Sequence, residues 1–192
     1  MLKKLQSLKA KKGFTLVELI VVIAIIAVLA AILVPTMMGY VTSSRVTSCD
    51  STAASLKDTV GNSMVEMDTV GNKVPQDAII ELSGTSSSPS VTITAGSDVT
   101  NSSSGTHGKL YDAIVSKIKN DYDFTKDFTA VVHVVDRKAV AAAYCADSVT
   151  LPTVFTSDAN TLRSGTYGWN GKTAGVTSGG DIIGTYPKCQ LS

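Results

Sequence analysis

From Phe14 to Val34 the chain holds 21 consecutive residues in which Glu18 is the only ionisable side chain. At about 1.5 Å rise per residue a helix of that length measures roughly 31 Å, close to the roughly 30 Å hydrocarbon thickness of a bilayer. The segment is therefore long enough to span a membrane. A carboxylate inside such a span costs on the order of 2.5–3.5 kcal/mol even on lenient insertion scales. Glu18 needs a partner or a purpose.

The flanking residues suggest one. Lys3, Lys4, Lys9, Lys11 and Lys12 precede the span with no acid among them, a charge bias that holds this end in the cytoplasm. A cut after Gly13 would expose a new α-amine on Phe14, largely cationic at neutral pH and about one helical turn from Glu18. Within one chain or between copies, ammonium and carboxylate could neutralise each other where neither alone is tolerable. A pairing between copies would set an axial register.

At Gly13, Phe14, Thr15, Leu16, Val17 and Glu18 the chain resembles, position by position, the type IV pilin superfamily, and Pro35 sits where that family usually has a helix-kinking proline. In sequence the resemblance covers Met1 to about Met38. It implies a leader, residues 1–13, removed by a membrane-embedded prepilin peptidase, with N-methylation of Phe14 and a Glu18 contact to the amino terminus of an adjacent subunit. The implied partners are the chain itself, the peptidase, the membrane, and an assembly platform with its ATPase. The implied product is a non-enzymatic filament subunit with no cofactor, stored in the cytoplasmic membrane and extracellular once assembled, with surface roles such as adhesion or twitching motility. A pseudopilin of a secretion or DNA-uptake apparatus shares the same N-terminal signature, and a membrane-anchored surface binding protein that does not polymerise is the alternative outside that class. A secretory signal or an uncut anchor would also begin with basic and apolar residues, but the run exceeds the roughly 7–15 residues of a signal core, and a glutamate near its start is atypical of one.

The remaining chain has room for one modest domain. Removing the five leader lysines leaves 12 basic residues against 16 acidic ones, so a broad basic face for nucleic acid is not supported. The apolar run is expected to continue as one helix from Phe14 to about Asp68, its first half (14–35) for membrane or self-assembly and its second (36–68) amphipathic. Pro35 lacks the amide that would bond Ala31, and Gly39 follows, so a bend is expected there. Cys49, Ala53, Leu56, Val60, Met64 and Met67 recur every three or four residues as a core-facing stripe. The fold class expected is α+β, this helix packed on a small antiparallel sheet in a head spanning 69–192, as in type IV pilins.

Within the head, 14 of the 24 residues from Ser83 to Thr106 are Ser or Thr, which reads as an exposed loop with one short strand at 91–94. An amphipathic helix is expected at 109–120, a hairpin at 128–136 and 139–146 around Asp136-Arg137-Lys138, and further strands near 153–155 and 182–186. Cys49, Cys145 and Cys189 permit three pairings. Cys145 with Cys189 is preferred because it could clamp the last segment to a strand, in keeping with the C-terminal disulfide loop of many pilins, and Cys49 is expected as a buried thiol. Asp121, Asp123 and Asp127 form the densest acidic cluster but match no complete cation loop, so a solvated turn is the simpler reading. His133 is expected to be a partly exposed strand residue. His107 lies in Gly105-Thr106-His107-Gly108-Lys109, which fails the phosphate-loop pattern because Ser103 and Leu110 occupy the required Gly and Ser/Thr places.

Overall fold

The computed structural model describes residues 13–85, 88–122, 127–146, 151, 175 and 181–188. The chain divides into two compact units, Met1–Ser43 and Ser44–Ser192. One helix, α1 (Leu16–Thr69), contributes to both. It remains helical through Pro35 and Gly39. Just beyond Pro35, Thr36 Oγ1 donates to the carbonyl of Leu33 at 2.9 Å. The helix ends at Gly71, whose φ of 76° suits a residue without a side chain, while the amides of Gly71 and Asn72 bond the carbonyls of Asp68 and Met67. These bonds satisfy carbonyls that the last turn would otherwise leave open.

The second unit is α+β. After α1 come strands β1 (Ala78–Thr85), β2 (Ser88–Ala95) and β3 (Asp98–Thr100), helix α2 (Gly108–Asp121), and strands β4 (Phe128–Val135), β5 (Lys138–Cys145) and β6 (Ile183–Tyr186). The strands form an antiparallel sheet in the order β3-β2-β1-β4-β5-β6. Alternation along them sends Ile80, Leu82, Val91, Ile93, Ala130, Val132 and Val134 to one face. There they meet Ala53, Leu56, Val60 and Met64 of α1 and Leu110, Ile114 and Ile118 of α2. The stripe expected on α1 is thus the one that packs, with Met67 only partly buried. Leu56 is fully buried at its centre. Leu56→Ala should destabilise the head by about 2–5 kcal/mol through lost transfer energy and a residual cavity, read as a fall in the denaturant midpoint followed by circular dichroism.

Two expectations need correction. Ser83 to Thr106 is not a loop holding one short strand, because β1, β2 and β3 occupy most of it, although the strand expected at 91–94 does lie within β2. The hydroxyl-rich composition concealed an alternation in which Val91 and Ile93 point inward while Thr92 and Thr94 are only partly buried, and pairing of β1 with both β2 and β4 stabilises what its composition alone would not. His133 is fully buried rather than partly exposed. It stands between Ile79 of β1 and Ala141 of β5, on the sheet face away from the helices. That second face is covered as well. It carries its own buried cluster of Val131, Ala141, Ala143, Cys145, Leu151 and Ile183.

The β4–β5 hairpin turns through Asp136 and Arg137, both at positive φ (51° and 60°), the two-residue geometry whose twist matches that of the strands. Neither is glycine, and contacts to neighbouring elements hold them. The Asp136 amide donates to Asp77 Oδ1 (3.1 Å), the Arg137 amide to the Gln76 carbonyl (2.8 Å), and Arg137 Nη1 reaches Asp68 Oδ1 (3.1 Å). The strand expected at 153–155 lies outside the described residues.

Candidate processing and assembly site

Gly13, Phe14 and Thr15 precede the first helical residue, Leu16. Thr15 and Glu18 form a reciprocal cap on α1. The Glu18 amide donates to Thr15 Oγ1 (3.2 Å), while the Thr15 amide and hydroxyl both donate to Glu18 Oε2, at 2.9 and 2.8 Å. This is a capping box, with a threonine as N-cap and a glutamate three residues on. Its usual worth is about 1 kcal/mol in water. Inside lipid an unbonded amide costs several kcal/mol, so the same bonds matter more there. Glu18 also lies at the positive end of the helix dipole, where a carboxylate is favoured. The Thr-x-x-Glu spacing was readable in the sequence, yet the expectation above gave Glu18 a partner only in Phe14.

Beyond the cap, every described residue from Gly13 to Val41 is exposed. Phe14 is 87 % exposed, and Leu16, Val28 and Ile32 each exceed 60 %. Apolar side chains cover all sides of this stretch, as in a helix whose surroundings are themselves apolar. The helix is long and apolar enough to cross a membrane.

The other candidates are not brought together. Cys145 is buried on the sheet face opposite the helices, and Cys49 is buried in α1 against Gly184. The sheet therefore lies between them. Cys189, and with it the preferred Cys145–Cys189 pairing, lies outside the described residues, as does Asp123. Asp121 is exposed at the end of α2 and Asp127 is exposed ahead of β4. Among the described residues no three His, Cys, Asp or Glu side chains are grouped to hold a metal ion. His107 is 8 % exposed at the start of α2, its Nε2 3.6 Å from Asp98 Oδ2, and serves the packing of the β3–α2 connection rather than a phosphate loop.

An exposed apolar stem, capped by Thr15 and Glu18 and followed by an α+β head, has the architecture of a type IV pilin-like protein. Residues 8–34 match the prokaryotic N-terminal methylation motif, the type IV prepilin signature. The match begins among the lysine-rich N-terminal residues and ends at the last residue of the apolar run. It marks the chain as a precursor of the pilin or pseudopilin type, anchored in the membrane by its apolar helix, and the motif is that of a structural family rather than of an enzyme family. Comparison with curated proteins and with solved structures finds no match.

Proposed function

We propose that this chain is a subunit of a type IV pilus, cut between Gly13 and Phe14 by a prepilin peptidase, methylated on the Phe14 amine, and polymerised through α1. The observation that carries this reading is the position of Glu18. It is the one ionisable group in the apolar run, fixed by Thr15 at the mouth of the helix beside the place where processing would create an amine. In the filament the Glu18 carboxylate meets the Phe14 ammonium of a neighbouring copy, and the exposed apolar stems cover one another. Pro35, with its missing amide, and Gly39 supply a bend that lets the stem follow the filament axis. The head faces outward, and the membrane, the assembly platform and its ATPase act on the stem during extraction.

Processing is tested by mass spectrometry of the chain from its native host. The mature protein should begin at Phe14 and be one methyl group heavier than its sequence. Gly13→Leu should leave the lysine-rich leader attached in essentially all molecules, and a correctly cut product from that variant would overturn the assignment of the site. The pseudopilin alternative has the same stem and the same processing. Immunoelectron microscopy with antibody to the head separates the two, because long labelled surface filaments are the pilus result and their absence from a processing-competent host is the pseudopilus result.

A further inference from the structure

We propose that Asp50 is an edge lock, a carboxylate on α1 that closes the β6 edge of the described sheet to strand addition and holds β6 on the helix. β6 ends the sheet among the described residues. In an antiparallel ladder alternate amides point toward the neighbour and away from it. The Ile183 amide donates to the Gly175 carbonyl at 2.9 Å, and the Thr185 amide donates to Asp50 Oδ1, also at 2.9 Å. Gly184 and Tyr186, at the alternate positions, pair with Tyr144 and Ala142 of β5. Both amides that would otherwise invite a further strand are therefore occupied, one by backbone and one by a side chain that comes from more than a hundred residues earlier.

The surroundings fit a fixed lock rather than a chance contact. The Asp50 side chain is 13 % exposed and its second oxygen, Oδ2, lies 3.6 Å from Lys188 Nζ. Gly184, the residue before the bonded amide, packs directly on the backbone of Cys49 and Asp50, where any side chain would collide. About two turns further along the same helix, Lys57 Nζ lies 4.6 Å from the centre of the Tyr186 ring. An open strand edge is a template for pairing with another chain, and native sheets commonly cover or charge such edges. A charged acceptor on a backbone amide does both at once. The lock is independent of whether the stem polymerises.

The test is residue-resolved amide hydrogen exchange on the full chain in detergent micelles. In Asp50→Ala the Thr185 amide should exchange about tenfold faster or more, the loss expected for a hydrogen bond to a charged group, while Gly184 and Tyr186 remain protected by β5. Asp50→Asn, which keeps the shape and a neutral acceptor, should fall between. Lys188→Ala, which removes only an exposed ion pair, should change Thr185 exchange by less than about twofold. Asp50→Ala should also self-associate through the opened edge, and adding Thr185→Pro, which deletes the N–H concerned, should reverse that association. Unchanged Thr185 exchange in a folded Asp50→Ala chain would overturn the proposal. So would self-association that Thr185→Pro leaves intact.

Discussion

Glu18→Ala is expected to leave membrane insertion intact or improved and leader removal unaffected, yet to reduce filaments to a small fraction of the wild-type yield. Insertion improves because the span loses its one ionisable side chain, a relief of up to about 2.5–3.5 kcal/mol on insertion scales. Assembly suffers because the Phe14 ammonium of each incoming subunit would enter an apolar bundle with nothing to neutralise it. Breaking a buried ion pair from one side costs about 3–5 kcal/mol, which is a hundredfold or more in the equilibrium for each subunit added. The structure adds a second duty for the same side chain, since Oε2 also accepts the amide and hydroxyl of Thr15. Glu18→Gln separates the two. Glutamine serves a capping box as glutamate does but carries no charge. If the charge pairing drives assembly, Glu18→Gln should fail much as alanine does. Normal filaments from Glu18→Gln would instead assign the residue to helix capping alone. Filament yield is read by shearing and immunoblotting, and insertion by the membrane-bound fraction.

How much of this was legible depends on whether a signal is local. The stem is legible because an unbroken apolar run with one acid has few physical outcomes. The packed face of α1 is legible because Cys49, Ala53, Leu56, Val60 and Met64 follow the helical period. The β4–β5 hairpin is legible from two Val- and Ala-rich runs flanking a charged turn. β1 is not, and β2 only over 91–94, because hydroxyl residues obscure their alternation and β1 owes its stability to lying between two other strands. The burial of His133 was hidden for a related reason. A period-2 pattern says which side chains share a face but not whether that face is covered, and the second cluster behind the sheet takes in Leu151, which belongs to no described strand, and Ile183 of β6. The Asp50–Thr185 bond spans the chain from the long helix to β6, a pairing to which no local spacing points. At the stem the capping role of Glu18 is not in the expectation although the Thr-x-x-Glu spacing that gives it is present.

Gly184 offers the sharpest test of how β6 meets the long helix. A methyl group at this position would overlap the backbone carbonyl of Cys49 and the amide nitrogen of Asp50. Backbone atoms of a packed helix cannot rotate aside as a side chain can, so β6 and α1 must separate for Gly184→Ala to fit. Overpacking of this kind typically costs about 1–3 kcal/mol and sometimes more. Here the separation would also stretch the Thr185–Asp50 bond, and an amide left buried without a partner adds about 1–3 kcal/mol. The expected result is a loss of head stability of roughly 3 kcal/mol, measured as a lowered denaturant midpoint at unchanged slope. Gly61→Ala is the matched control on the same helix. Its new methyl would lie 3.5 Å from Ala139 Cβ, an ordinary contact, and replacing a helical glycine by alanine favours the helix by up to about 1 kcal/mol. The two substitutions add the same atom to the same helix–sheet interface and should move the midpoint in opposite directions. A Gly184→Ala chain as stable as wild type would mean that β6 does not rest on α1 at Cys49.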